Sequence, residues 1–307
     1  MTPVSIAYVV PTKDRPDDLR KLLDSLRAQS AQAAQIVIVD GSETPIESLL
    51  SDYRELPLTY VRVFPPSLAR QRNAGMAALQ PGIAVAGYLD DDLELDPVAT
   101  ERMQAFWAAT GPETGGAAFT IVNQPTRGRL GSLISNIFLL NSPAQGKVLR
   151  SGFGTSILPR DGTERTDWLY GGATLWRRDV IEAFRYDEWY IGHGYLEDLD
   201  YSHRVAQEHA LYVVAEARCW HWPKPVRIEQ NYALGRQQVL NRIYFTRKFS
   251  HFSRPAFHWA MFGQSVRNLL EPLQTRDRAG WIRFRGNLRG YLDLIRHGVR
   301  QTEGIWK

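Results

Sequence analysis

Cysteine is nearly absent from this chain: Cys219 stands alone among 307 residues. A single thiol excludes an intrachain disulfide and any cysteine-rich zinc site, and it fits a reducing compartment such as the cytoplasm. Flanked by Arg218 and Trp220, it reads as a small packing residue rather than a nucleophile. Long apolar runs are missing too, since none approaches the roughly 18 residues that suggest a membrane-spanning helix. Met1 to Val10 lacks a basic start and runs straight into Pro11-Thr12-Lys13-Asp14, so it reads as a first strand and not as a secretion signal. No internal repeat or low-complexity stretch is visible. With 44% apolar and 23% charged residues, the composition is that of an ordinary globular protein whose core needs no staples.

Acids are scarce in one region. Residues 227–307 hold 15 Lys and Arg against five Asp and Glu, a net of +10, whereas residues 1–226 hold 22 against 28, a net of −6. An acidic body with a basic tail predicts that the tail meets something anionic. The boundary is expected near Pro223-Lys224-Pro225, giving a domain of residues 1–225 and an extension of residues 226–307.

Along the first part, apolar runs alternate with helical patterns. Strands are expected at Val4 to Val10, Ile36 to Val39, Leu58 to Phe64 and Ile83 to Leu89, with helices from Asp17 to Gln29 and Leu68 to Leu79. Further on come a strand at Ala173 to Trp176, a helix from Arg178, a helix from Asp198 to Glu208 and a strand at Leu211 to Val214. Such alternation implies βαβ units in an α/β fold, and ligands of open α/β sheets bind beyond the carboxyl ends of the strands. Residues 123–167, rich in Gly, Pro, Ser and Arg, read as a long excursion with a helix within Leu130 to Leu140, suited to a lid.

The strand ends carry the chemistry. Asp90-Asp91-Asp92 closes the run Ile83 to Leu89, and three unpaired acids there repel one another unless a divalent cation lies between them. Hard oxygen ligands suit magnesium or manganese. A solvated acidic turn ahead of a helix near Pro97 is the plain alternative. Pro11-Thr12 follows the first strand and Asp40 the second, so three strand ends would aim polar groups at one crevice.

Seven segments, in order, carry a resemblance: Val9-Val10-Pro11-Thr12 with Arg15; Val39-Asp40-Gly41-Ser42; Ala69 to Gly75, containing Arg70, Arg72 and Asn73; Asp90-Asp91-Asp92; Gly171-Gly172-Ala173 with Arg177-Arg178; Glu197-Asp198; and His221. Together they resemble the family 2 inverting glycosyltransferases over residues 4 to about 225. The resemblance implies the GT-A fold: an open, mostly parallel sheet flanked by helices, with a Rossmann-like nucleotide-binding half, here followed by a C-terminal helical extension. It also implies a nucleotide-diphospho-sugar donor, UDP- or dTDP-linked, held by Pro11, Thr12, Arg15, Asp40, Arg70, Arg72, Asn73, Asp90 and Asp91. Asp92 and His221 are the implied ligands of Mn2+ or Mg2+, with the His nitrogen favouring manganese. Asp198 is the implied base, and Trp168, Gly171, Gly172 and Glu197 the implied acceptor side. The chain departs from the pattern at Val39-Asp40, where many relatives carry two acids, and this puts the base read by Asp40 in doubt.

Each residue also has a structural reading. His221, between Trp220 and Trp222, suits an aromatic cluster; Asp198 suits a helix N-cap; Glu197 suits the positive end of a helix. Asp200 is expected to be solvated or paired with Arg204, Asp91 to be a spacer, and Arg70 or Arg72 to lie on a salt-bridged helix face. Trp168, Trp176 and Trp189 could stack on sugars or simply fill core. His193-Gly194-Tyr195 reads as a flexible acceptor loop.

In the tail, Trp281, Phe284, Leu288, Tyr291, Leu292 and Ile295 share a helical face, with Arg285, Arg289, Arg296 and Arg300 along one flank. That pattern suits either an anionic membrane surface, at the cytoplasmic side, or a helix packed on the domain with Gly286 and Gly290 weakening it as a free helix. No nucleic-acid motif accompanies the charge. The expected activity is transfer of one sugar to a glycan or lipid-linked hydroxyl, in surface polysaccharide or glycolipid assembly. A processive synthase is disfavoured, because Gln238 to Arg242 misses the Gln-x-x-Arg-Trp spacing by one residue and has no Trp. Two rivals are a sugar-phosphate nucleotidylyltransferase, whose Gly-rich first loop is lacking here, and a non-catalytic glycan-binding scaffold, which would have lost the acids.

Overall fold

The computed structural model describes residues 4–126, 128–192, 194–275 and 277–301. In chain order its elements are β1 (Ile6–Thr12), α1 (Pro16–Arg27), β2 (Gln35–Asp40), β3 (Leu58–Arg62), α2 (Leu68–Ala77), β4 (Val85–Leu89), β5 (Leu93–Leu95), α3 (Ala99–Ala109), β6 (Thr114–Ile121) and α4 (Arg129–Ile137). They continue with β7 (Glu164–Thr166), β8 (Ala173–Arg177), α5 (Arg178–Ala183), α6 (Glu197–Val205), β9 (Ala210–His221), α7 (Asn231–Arg247), α8 (Arg254–Thr275) and α9 (Ala279–His297). Two compact units divide the chain: residues 1–125, 158–188 and 197–223 form one, and residues 126–157, 189–196 and 224–307 the other. Much of the 123–167 excursion, α4 included, thus clusters with the basic tail.

The first unit is built on one sheet of order β3-β2-β1-β4-β8-β6-β9-β5, with β7 also pairing with β9. From β3 to β4 the strands are parallel. β8 then enters antiparallel between β4 and β6, so the sheet is mixed. β1 is buried on both faces, which is why its sequence is a continuous apolar run rather than an alternation. Ile6, Tyr8 and Val10 point to one side, where α1 places Leu19, Leu22, Leu23 and Leu26 and α3 places Met103 and Trp107. Ala7 and Val9 point to the other, against Ala69 and Met76 of α2, Val180 of α5 and Tyr201 of α6. Each such fully buried large side chain contributes roughly 1.5–3 kcal/mol.

Two strands outrun their sequence signals. β6, Thr114-Gly115-Gly116-Ala117-Ala118-Phe119-Thr120-Ile121, lacks the β-branched density of a strand; its small residues admit the Trp176 ring, which a Cβ on Gly116 would press at 2.5 Å. β9 runs on past Val214 through a register shift opposite Phe119 and Thr120, then pairs Cys219 and His221 with Leu95 and Leu93 of β5. That extension carries His221 to the strand segment that follows the acid cluster.

In the second unit, Leu140, Phe153, Val239, Ile243, Phe257, Ala260 and Met261 make a small core. α9 meets α7 through its smallest residues: a Cβ on Gly286 would overlap the Tyr232 carbonyl, and one on Gly290 would press Val239. Buried amides set the register, with Asn268 Nδ2 donating to Gln238 Oε1 (2.9 Å) and Asn287 Oδ1 (2.8 Å), and Asn287 Nδ2 to the Gly235 carbonyl (2.7 Å). The two glycines expected to weaken α9 are therefore its packing face. Its apolar stripe is turned outward instead, with Trp281, Leu288, Leu292 and Ile295 exposed. No helix among the described residues is long and apolar enough to cross a membrane.

Candidate active site

The crevice lies beyond the carboxyl ends of β1, β2 and β4, where strand order reverses about β1. β4 delivers Asp90, Asp91 and Asp92, and the backbone N–H of Asp90 donates to the Gly172 carbonyl (2.8 Å), which ties the cluster to the start of β8. Pairing of β9 with β5 sets His221 beside it, and Asn123 holds the His221 backbone at both N–H and carbonyl.

Asp91 is no spacer. It is buried, accepts the Thr12 hydroxyl at 2.7 Å, and accepts Arg15 Nη1 at 3.2 Å, while the same Nη1 reaches Asp92 Oδ2 at 3.0 Å. Burial pushes the Asp91 carboxyl up to about 7, with Thr12 and Arg15 pulling against it. Burial acts on Asp92 in the same direction, yet His221 and Arg15 outweigh it and hold that carboxylate below its ordinary value. For His221, burial favours the neutral ring, but Asp92 and Asp90 prevail and raise it.

One oxygen in this cluster makes no hydrogen bond of proper geometry. Asp92 Oδ1 is buried and faces His221 Nε2 at 3.1 Å. A buried carboxylate oxygen costs free energy unless something positive meets it, which a protonated His221 or a bound cation would do here. Asp90, Asp92 and His221 each offer a ligand atom within 4.8 Å of the others. Two hard oxygens and an imidazole nitrogen fit a divalent cation such as Mn2+.

Arg72 organises the opposite wall. It comes from the inner face of α2, is only 2% exposed, and lies 5.4 and 5.0 Å from the rings of Tyr88 and Tyr186. Its Nη1 donates to Glu197 Oε1 at 3.0 Å and its Nη2 to Asp90 Oδ1 at 3.4 Å. A Cβ on Gly172 would overlap the Asp90 carboxylate, and one on Gly171 would crowd Arg72 and Asp198. Only glycine lets these four groups converge. Asp198 is half-buried and accepts the Gly171 N–H at 3.2 Å and the Leu199 N–H at 2.7 Å. Burial pushes its carboxyl up, with Arg72 pulling against that shift. Since α6 starts at Glu197, Asp198 is inside the first turn rather than at the cap. The chain enters that helix through Leu196 at φ +75°, a conformation that costs about 1–3 kcal/mol and recurs at functional sites.

Other expected residues are placed differently. Asp40 is fully buried: Oδ1 accepts the Ser42 N–H, and Oδ2 accepts Ile46 N–H, Tyr60 OH and Arg62 Nη1, all within 2.7–3.0 Å. These donors outweigh burial and keep its carboxyl below the ordinary value. Asn73 is occupied by the 186–188 segment, through the Tyr186 backbone and Glu188, and Arg70 points to solvent. Pro11 is inside β1. Asp200 pairs with Arg204 at 3.2 Å. Trp168 and Trp176 are buried against Tyr170 and Tyr201, and Trp189, of the second unit, stacks on Tyr244 at 3.8 Å. His193 lies outside the described residues. Sequence reasoning missed Gln71, whose Nε2 bonds the carbonyls of Thr12 and Val39 and ties the first two strand ends together. Its signal was a polar residue on the buried face of an otherwise apolar helix side.

Comparison with known proteins decides the family. The pattern of Glycosyl transferase family 2 matches residues 8–182. The chain belongs to that family. Among solved structures, this family 2 transferase is similar to S. aureus TarS 1-349, at TM-score 0.52 and 14% identity, covering 98% of this chain and 97% of that one. It is also similar to the mannosyltransferase PcManGT from Pyrobaculum calidifontis in complex with GDP-Man and Mn2+, at TM-score 0.58, 13% identity, and 95% and 88% coverage. GalNAc-T7 with UDP, GalNAc and Mn2+ follows at TM-score 0.57 and 15% identity, with 85% of this chain matching 55% of that one. These likenesses show the GT-A fold. No curated protein matches the chain by sequence.

Proposed function

We propose that this transferase moves one sugar from a UDP- or dTDP-linked donor to a hydroxyl of a glycan or lipid-linked acceptor, with inversion. The convergence of Asp90, Asp92 and His221, whose ligand atoms lie within 4.8 Å of one another, carries this reading. Asp90, Asp92 and His221 would hold a divalent cation, which when bound neutralises diphosphate charge as a Lewis acid. The presence of Mn2+ with GDP-Man in one structural neighbour and with UDP in another supports that assignment.

In this reading Asp198 takes the proton of the acceptor hydroxyl. The hydroxyl oxygen bonds to the anomeric carbon as the bond from that carbon to the diphosphate oxygen breaks, and the nucleoside diphosphate leaves. A carboxyl raised by burial is a stronger base than one in water, and Arg72 keeps it ionised. Thr12 and Arg15 hold Asp91, and Arg15 reaches Asp92, so they would steady the acid cluster beside the donor. Arg72 acts by aligning Asp90 with Glu197 rather than by meeting phosphate itself. Asp40 braces the β2 turn, and base selection falls to groups around it. Glu197 positions the acceptor with Gly171 and Gly172.

A panel of nucleotide sugars, scored by thermal shift with Mn2+ and by nucleoside diphosphate release, tests the reading. One UDP or dTDP donor should stabilise the protein, and NMR of the product should show an inverted anomeric centre. Retained configuration, or no stabilisation by any nucleotide sugar, would sink it.

A further inference from the structure

The second unit wears its apolar residues on the outside, and they lie side by side. On α8, Trp259, Phe262, Leu269 and Leu270 are exposed along one face. The opposite face, with Phe257, Ala260, Met261 and Asn268, packs towards α7. α9 repeats the arrangement: Gly286, Asn287 and Gly290 meet α7, and Leu288, Leu292 and Ile295 point away, Ile295 being 79% exposed. α8 and α9 also pack on one another, where a Cβ on Gly280 would overlap the Asn268 carbonyl and Arg283 pairs with Glu271, so their outward faces adjoin. α4 extends the surface beyond α8, because the Ile137 carbonyl accepts Trp259 Nε1 (2.8 Å) and the Phe138 ring packs on Trp259 and Phe262. Leu130, Leu133, Ile134 and Ile137 of α4 are exposed as well, Leu130 at 70%.

Charge identifies the occupant. The second unit holds 20 Lys and Arg against five acids, a net of +15, whereas the first unit is net −11. Arg285, Arg289 and Arg296 follow the far flank of the α9 stripe, and Arg254 and Arg267 flank that of α8, all exposed. A second copy of the same face would set one arginine rim against another across an isologous interface. An anionic bilayer offers instead an apolar interior for the stripe and counter-charge for its arginine rim.

We propose that the outer faces of α4, α8 and α9 dock on an anionic membrane surface, lying in its interface without crossing it. This does not depend on the donor reading, because vesicle binding needs no sugar nucleotide.

Vesicle co-sedimentation of the full chain tests it, using phosphatidylcholine alone and phosphatidylcholine with a third phosphatidylglycerol. Binding should be at least ~10-fold stronger to the anionic vesicles and should weaken in high salt. Leu270→Glu with Ile295→Glu should abolish it, and Arg285→Glu with Arg296→Glu should abolish the preference for anionic lipid, each with an unchanged circular dichroism spectrum. No binding to either vesicle would overturn the proposal, as would wild-type binding by both double variants. A stable dimer that Leu270→Glu with Ile295→Glu splits, without vesicle binding, would assign the surface to a second copy instead and equally overturn it.

Discussion

The two units of this chain solve the problem of apolar side chains in opposite ways. In the first, leucines and valines line both faces of a sheet, the net charge is acidic, and acids gather at the strand ends. In the second, a small apolar core is joined to α9 through glycines and buried amides, while sixteen of the nineteen exposed large hydrophobics among the described residues lie there. A sheet packed on both sides leaves its polar groups only at the strand ends, so the site is where charge can be concentrated. A helix joined to its neighbour by small residues, as α9 is to α7, leaves its large ones outward, which makes a surface rather than a site.

The largest expected effect lies at the first unit's strand ends. Asp198→Asn should lower turnover by roughly 10²–10⁴-fold in a transfer assay while donor-induced thermal stabilisation persists, as for loss of a general base. Near-wild-type turnover would remove Asp198 from the chemistry. Next is burial. Leu22→Ala, in the first unit's core, should cost about 2–5 kcal/mol by urea unfolding, whereas Leu288→Ala on the outer face of α9 should stay within about 0.5 kcal/mol. Equal costs would erase the distinction between the units. Gly290→Val should then destabilise by about 1–3 kcal/mol, because it overfills the contact with Val239 that α9 makes with α7. A neutral result would mean that α9 is held by its apolar stripe after all. Smallest is Cys219, buried on β9, where burial pushes the thiol up to about 12. Iodoacetamide at pH 8 should leave it unmodified in the native protein and alkylate it in urea, as mass spectrometry would show.

Much of the first unit was legible because its signals are local. β1, β2 and β4 are buried on both faces and so appear as apolar runs, and acids mark the ends of β2 and β4. The glycine pair at Gly171-Gly172 was legible as a motif, although its reason, the space taken by Asp90, Arg72 and Asp198, exists only in three dimensions. β6 was hidden because small residues give no strand signal until a tryptophan from β8 covers them. The salt-bridge reading of Arg72 agrees with its pairs to Glu197 and Asp90, but its burial, like that of Asp91, was not legible, because the opposite charge that meets each comes from a distant segment. Periodicity revealed an apolar stripe on α9 but could not say which face packs. The glycines on the other face decided that, by allowing a closer approach than leucine would.

The central claim is that Asp92, with Asp90 and His221, binds a divalent cation, and Mn2+ binding followed by electron paramagnetic resonance tests it most directly. Wild type and Asp198→Asn should take up one Mn2+ per chain, and Asp92→Ala should leave the ion free in solution. Mn2+ uptake by Asp92→Ala equal to that of wild type would contradict the account.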